Sequence, residues 1–251
     1  MSHIVIILAA GEGKRMKSDL PKVLHQVNNL PMIVHVIKTA RETKPLKIVI
    51  MVGKHHLKIK ECIQEHDIDN VEFFIQKEPK GTGHAVMCWK EQDNMMINRN
   101  TSLLILNGDV PLIKCETILN LLNNHKDVSV IVSKISNPFG YGRILTDELG
   151  NFLKIVEEKD CTNEEKKINL INSGIYLFNF DIIDKYLFKI DNKNASAEYY
   201  LTDLLKIIKD SEKKVDFNLL ELSMQENYQI SGVNNQLQLA NLNKINEKNI
   251  Y

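Results

Sequence analysis

HIVIILAAGEGKRM, residues 3–16, is the stretch on which the fold of this chain turns. From His3 to Leu8 the run is apolar and rich in Ile and Val, and glycines follow at 11 and 13. A short apolar run closed by a turn signal predicts a buried first strand. Glycines after such a strand let backbone N–H groups come close to a phosphate, because no Cβ intervenes. Arg15 and the nearby Lys22 can neutralise triphosphate charge. The loop is not a Walker A sequence, and Met16 stands where a dinucleotide fingerprint needs its third glycine. On these residues alone, a tight strand-to-helix turn with solvated basic side chains is an equal alternative.

Outward from the loop, Pro31 opens a segment with apolar residues at 32, 33, 36, 37 and 40. That spacing predicts a helix from Met32 to Thr43, with the proline in its first turn. Strands are expected at Ile48 to Val52, Val71 to Ile75, Leu103 to Leu106 and Val128 to Val132. Helices are expected at Leu57 to His66, from His84 to Lys90, and at Cys115 to Asn124. Strands alternating with helices imply βαβ units. The expected class is therefore α/β, Rossmann-like, with a mainly parallel central sheet and helices on both faces. After Pro138 the rhythm loosens. Strands are expected at Ile144, Leu153 to Val156, Ile171 to Phe178 and Val215 to Leu222, and an amphipathic helix at Leu201 to Lys209. Asp160 to Asn169 is polar and predicts a surface excursion. The tail from Asn234 predicts a terminal helix with Leu237, Ala240 and Ile245 on one side. No internal repeat and no Pro-, Gly- or Ser-rich linker divides the chain.

The bulk properties narrow the function. Of 251 residues, 43% are hydrophobic and 25% charged, as in ordinary soluble domains. The 32 basic and 32 acidic residues cancel, so no nucleic-acid partner is expected. No apolar run is long enough to span a bilayer, and the N-terminus lacks the marks of a secretory leader, so no membrane partner is expected. Cys62, Cys88, Cys115 and Cys161 form no Cys-x-x-Cys pair. Free thiols and a cytoplasmic location are the expectation.

Three more glycine-containing stretches could carry chemistry. Asn107-Gly108-Asp109 follows the fourth predicted strand, and ligands of open parallel sheets bind outside the carboxyl ends of strands. Asp109 would then share an edge with the first loop. One carboxylate together with phosphate oxygens suits Mg²⁺, although an Asp in a plain turn would look the same. Gly81-Thr82-Gly83-His84 suits close packing against a base or ribose, or an ordinary helix start capped by Thr82. Gly140-Tyr141-Gly142-Arg143 fits a hairpin turn equally well. His55 and His56 adjoin and so point apart, which argues against a shared metal. Tyr199 and Tyr200 are expected in packing.

Taken in order, LAAGEGKRM (8–16), DLPKVLH (19–25), GTGHA (81–85), GDVPL (108–112), GYGRI (140–144), IVEEKD (155–160), INSGIY (171–176) and GVNN (232–235) form a pattern. It resembles the nucleotide-diphospho-sugar transferase superfamily. More narrowly, it is similar to the N-terminal uridylyltransferase domain of the bifunctional enzymes that make UDP-N-acetylglucosamine, from about Ile4 to Leu239. The resemblance implies Mg²⁺-assisted in-line attack of N-acetylglucosamine 1-phosphate on the α-phosphate of UTP, for cell-wall precursor synthesis. It implies Arg15, Lys22 and Asp109 as catalytic residues, with Arg15 and Lys22 on the phosphates and Asp109 and Asn234 on Mg²⁺. Leu8, Ala9, Ala10 and Gly11 would line the uridine site, with Gln76, Gly81 and Thr82 reading uracil and ribose. Gly142, Glu157, Asn172 and Asn234 would contact the amino sugar and its ribose-side neighbours, with Asn107 and Gly108 also at the substrate. Asn107 stands where the family usually has tyrosine, so an aromatic face is lost there. The family's C-terminal acetyltransferase β-helix has hexapeptide repeats, and none occur here. The expected organisation is a transferase domain over 1–228, then the domain end and the start of a linker helix over 229–251, as a monomer or weak oligomer. Rival readings are a related transferase with another sugar or nucleotide, and a non-catalytic nucleotide-sugar sensor.

Overall fold

In the computed structural model, which describes residues 1–93, 96–211 and 214–248, the N-terminal run is strand β1 (His3–Ala9). Its Ile4 and Ile6 enter one core cluster, and Val5, Ile7 and Ala9 enter the other. A strand with cores on both faces needs apolar residues at every position, which is why the run is unbroken.

The chain continues through β2 (Gln26–Val27), β3 (Leu30–Pro31), α1 (Met32–Glu42), β4 (Lys47–Val52), α2 (His56–Glu65), β5 (Val71–Ile75) and α3 (Thr82–Gln92). Then come β6 (Ser102–Asn107), α4 (Cys115–Asn123), β7 (Val128–Lys134), β8 (Arg143–Thr146), β9 (Phe152–Val156) and β10 (Leu170–Asn179). The last elements are α5 (Phe180–Tyr186), α6 (Leu201–Lys209), β11 (Phe217–Leu222) and α7 (Gln236–Lys248). The main sheet runs β11-β7-β10-β6-β1-β4-β5. Neighbours along it are parallel except at β10, which is antiparallel to both β6 and β7. The β8–β9 hairpin hangs from β10. Helices α1, α2 and α4 pack one face, and α3, α5 and α6 the other. The expected α/β, mainly parallel architecture is the one adopted.

Several local expectations shift. Helix α1 starts at Met32, so Pro31 caps it rather than filling its first turn. Helix α3 starts at Thr82, with Gly81 as its cap, so Thr82 does not cap. The last strand starts at Phe217 rather than Val215. The β2–β3 hairpin and α5 have no counterpart in the expected elements. Two-residue strands show no periodicity, and their turn rests on Asn28 and Asn29 at positive φ. Helix α5 follows β10 with no breaker between them. The terminal helix is present, but Leu237 and Ala240 are exposed. Leu242 faces the body instead, in a small cluster with Met16, Val27, Met32 and Val233. Residues 249–251 of the expected tail lie outside the described residues. Among the described residues, no helix is long and apolar enough to cross a membrane.

Candidate active site

β1 and β6 are parallel neighbours with Leu8 opposite Asn107, so the loops after both leave the same sheet edge. A cavity of about 670 Å³ opens there, lined by the whole loop from Leu8 to Arg15 and by Lys22, Gln76, Gly81, Thr82, Asn107, Asp109 and Asn234. A second chamber of about 180 Å³ adjoins it, lined by Gly142, Glu157, Asn172 and Thr202 among others. Leu8, Thr82 and Asn107 line both. Every residue assigned by resemblance therefore lines one chamber or the other, except Gly108. Gly108 packs instead: its N–H donates to Leu8 O at 2.9 Å, and a Cβ there would meet Ile33, Leu8 and Val23.

The charged side chains at the first chamber are aimed by buried neighbours. Lys14–Met16 forms one 3-10 turn, and Met16 is buried in the small cluster with Leu242, which turns Arg15 outward. Met16, where a dinucleotide fingerprint has its third glycine, is thus an anchor. Lys22–Leu24 forms another such turn, with Val23 and Leu24 buried and Lys22 left at the cavity. Buried Val233 fixes Asn234 in the same way. The heads meet. The Lys22 ammonium donates to Asp109 Oδ2 and, at 3.3 Å, to Asn234 Oδ1. Arg15 donates to the same Asn234 oxygen at 3.0 Å. Two oxygens from distant parts of the chain thus converge on one cation. Among the described residues, no group of three or more His, Cys, Asp or Glu side chains could hold a metal. A cation at this point would draw on Asp109, Asn234 and oxygens from its own ligand.

The loop before α3 closes the cavity from another side. Gly81 has φ +106, and a Cβ there would lie 2.5 Å from Tyr199 O, so only glycine is tolerated. Gly83 N–H donates to Tyr199 O at 2.8 Å, and Tyr199 N–H to Lys80 O at 2.8 Å. The Thr82 hydroxyl accepts from Leu201 N–H at 3.1 Å. This loop is tied to the approach of α6, and Tyr199 does serve in packing.

In the second chamber Asn172 is held at both ends. Its Nδ2 donates to the Tyr176 hydroxyl at 2.6 Å, and its Oδ1 accepts from Gly174 N–H at 3.1 Å. The Thr202 hydroxyl donates to Glu157 Oε1 at 3.0 Å. Burial pushes the Glu157 carboxyl above the ordinary carboxylate range against that hydrogen bond, helped by Asp203, Asp160 and Glu198. Asp203, in the first turn of α6, is pushed up to about 6 by burial and by Asp191 and Asp160. Burial also raises the Tyr176 phenol. On the dividing wall, Asn107 Nδ2 donates to Gly174 O at 3.1 Å. Gly174 sits at φ +77, inside the register shift of β10 between Asn172 and Tyr176.

Sequence reasoning missed Lys159 and Glu198 on the far wall of the first chamber. Lys159 lies in IVEEKD and was open to notice. Glu198 comes from an irregular stretch before α6 that carries no pattern. The Gly140–Arg143 stretch is more than a hairpin turn. Its Gly140, Tyr141 and Gly142 line the second chamber, while buried Arg143 pairs with Glu158 at 2.8 Å.

The nucleotidyl transferase family model matches residues 4–221. A protein of Acanthamoeba polyphaga mimivirus described as "Probable UDP-N-acetylglucosamine pyrophosphorylase" is 42% identical over 248 residues, covering 97% of this chain and 96% of that protein. The bifunctional protein GlmU of Clostridium tetani is 42% identical over 254 residues, covering 100% of this chain and 53% of that protein. The chain thus spans about half the length of its bifunctional relatives. The crystal structure of a UDP-glucose pyrophosphorylase complexed with UDP-glucose shares the fold. It has a TM-score of 0.75 at 18% identity, over 99% of this chain and 100% of that one.

Proposed function

The chain belongs to the nucleotidyl transferase family, and from that premise we propose that it joins UTP and N-acetylglucosamine 1-phosphate into UDP-N-acetylglucosamine and pyrophosphate. One observation carries this reading above the others. A chamber walled by a glycine loop with Arg15 and Lys22 opens beside a second, polar chamber, and the two share Leu8, Thr82 and Asn107. That layout suits a nucleoside triphosphate in the first and a sugar in the second.

The chemistry asks for positioning and charge control. A sugar-phosphate oxygen attacks the α-phosphorus, a P–O bond forms, and the α–β P–O bond breaks to release pyrophosphate. The nucleophile is already an anion, so no strong general base is needed. Catalysis rests on orientation and on stabilising the crowded charge. Leu8 to Gly11 would hold the nucleoside through the backbone; a Cβ at Gly11 would meet nothing, which leaves that space to a ligand. Gln76, Gly81 and Thr82 would read the base and ribose. Arg15 and Lys22 would bind the phosphates and steady the leaving pyrophosphate. The free N–H of Asn172 and the Glu157 carboxyl would hydrogen-bond the sugar in the second chamber, beside Gly142.

The oxygens of Asp109 and Asn234 fit a divalent cation, since both already reach one ammonium. Mg²⁺ takes oxygen ligands and retains waters, and it would supply positive charge at the phosphates. Substrate arrival would draw Lys22 from the carboxylate to the triphosphate and free Asp109 as a metal ligand. Synthesis of this nucleotide sugar in the cytoplasm, as a monomer or weak oligomer, completes the proposal.

The deciding experiment is a pyrophosphate-release panel that crosses UTP, CTP, dTTP and ATP with N-acetylglucosamine 1-phosphate and glucose 1-phosphate, with and without Mg²⁺. The expected best pair is UTP with the N-acetylated sugar, and only with the metal. Preference for another nucleotide or for glucose 1-phosphate would replace this substrate assignment. Nucleotide-sugar binding without turnover would favour a sensor.

A further inference from the structure

Gln76 is 4% exposed yet lines the nucleotide chamber, so its carboxamide is one of few polar groups offered there by a buried side chain. What it offers is set behind it. Its Nε2 donates to Gly81 O at 3.0 Å, and a carbonyl there fixes which end of the amide is nitrogen. Nε2 also lies 2.9 Å from His84 Nδ1. An amide nitrogen has two hydrogens, and these two partners use both. Oε1 is then the only group left to face a ligand, and it can only accept.

We propose that His84 is a positioning residue for nucleobase selection, holding the Gln76 carboxamide so that it presents an acceptor and favours a base with an imide N–H. This deepens the uridylyltransferase reading above and rests on it. The Nδ1 lone pair takes the second Gln76 hydrogen, so the neutral ring carries its proton on Nε2. That nitrogen lies 3.6 Å from the Cys88 sulfur, a weak acceptor one helical turn further along α3. The Tyr199 ring stacks on the imidazole with centroids 6.0 Å apart. The imidazole is thus bounded by Gln76, Cys88 and Tyr199, and it lines neither chamber itself. Uracil and thymine carry N3–H and match the Gln76 oxygen. Cytosine carries an unprotonated N3, and two acceptors would face each other. Without His84 the second amide hydrogen has no partner, and the Gly81 carbonyl alone is left to hold the carboxamide in the geometry in which Oε1 faces the base.

The test is the ratio of kcat/KM for UTP over CTP in the wild type, in His84→Leu and in His84→Asn. Asn places a carboxamide oxygen near the position of Nδ1. His84→Leu is expected to lower the ratio about tenfold or more, the usual scale when a buried polar partner is removed. The UTP-to-dTTP ratio should stay constant, since both bases carry the imide, and His84→Asn should restore most of the UTP preference. A merely structural histidine would lower all three nucleotides together. ¹⁵N chemical shifts of His84 in the wild type give a reading free of folding effects, with unprotonated Nδ1 and protonated Nε2 expected. An unchanged UTP-to-CTP ratio in folded His84→Leu, a His84→Asn variant no better than Leu, or the opposite tautomer overturns the inference. A wild type that does not prefer UTP fails the uridylyltransferase reading itself, which separates the two failures.

Discussion

Val233 donates its backbone N–H to the carbonyl of Asp109 at 3.0 Å. That bond seats the segment before α7 on the loop after β6 and places Asn234 against the Lys22–Asp109 pair. The C-terminal helix thus starts at the centre of the proposed chemistry, and Gln236 Nε2 donates to Met16 O at 3.2 Å at the end of the glycine loop.

Asp109→Ala should lower turnover by about a hundredfold or more, the scale seen when one group that stabilises transition-state charge is removed. The Lys22–Asp109 pair keeps access to solvent, with both side chains 17% exposed. Lys22 keeps the Asn234 oxygen when the carboxylate goes, so the variant should still fold. Urea unfolding and pyrophosphate release on the same preparation check both halves. Near-normal turnover in the folded variant would remove Asp109 from the mechanism.

Asn234→Ala is a milder change with a different signature. It takes away a neutral oxygen shared by Arg15 and Lys22 and leaves the carboxylate. Half-maximal activity should then need several-fold more Mg²⁺, with a smaller effect on turnover at saturating metal. A Mg²⁺ titration at fixed substrates decides this. A curve that superposes on the wild type would mean Asn234 serves only to orient the two cations.

How much of this could be seen in the sequence depends on what kind of signal each part leaves. The parallel half of the sheet was legible because strands buried on both faces make unbroken apolar runs, as in β1 and β4. Gly81 and Asp109 were legible because a glycine at a loop–helix junction and a carboxylate at a strand end stand out. The reversal of β10 was not legible. An antiparallel central strand and a parallel one are equally apolar, and direction is fixed by the β8–β9 excursion that precedes it. The inward face of α7 was misplaced because its sparse leucines allow two stripes, and only the position of Met16 decides for Leu242. The identity of the nucleotide and of the sugar comes from resemblance, since the residues alone support no more than an unspecified nucleotide.

Asn107 and Gly174 form a coupled pair on the wall between the two chambers. Asn107 Nδ2 donates to Gly174 O, and a Cβ on Gly174 would clash directly with that same nitrogen. Gly174 also sits at φ +77, a conformation that costs other residues about 1–2 kcal/mol. Gly174→Ala should therefore destabilise by about 2 kcal/mol or more, through strain plus clash. Adding Asn107→Ala removes the clash and keeps the strain, so the double variant should be more stable than the sum of the singles predicts. Additive losses in denaturant unfolding would show that Asn107 does not confine the β10 bulge.

Glu157 gives a prediction in which stability and function move oppositely. Its carboxyl is raised by burial, so the folded chain holds its proton to higher pH than the unfolded chain does. A raised carboxyl favours the folded state fully below the ordinary carboxyl value near 4.5, and that contribution is lost as pH rises through the folded value. Above that range the folded enzyme thus bears a cost that the unfolded chain does not, either a buried charge or a proton the unfolded chain has already released. Glu157→Gln removes that cost, so its Tm relative to the wild type should rise between pH 4 and pH 8. The wild type retains some of the slope through Asp203, raised to about 6, and the variant retains it too. A Tm difference constant over this range would mean the burial cost is not felt. The same substitution replaces the carboxyl with an amide beside Asn172, so KM for N-acetylglucosamine 1-phosphate should rise while KM for UTP holds. A variant that gains stability at pH 8 and loses only sugar-phosphate binding is the outcome expected of a carboxyl kept for its ligand. Equal losses for both substrates would instead place Glu157 in the general architecture of the hairpin.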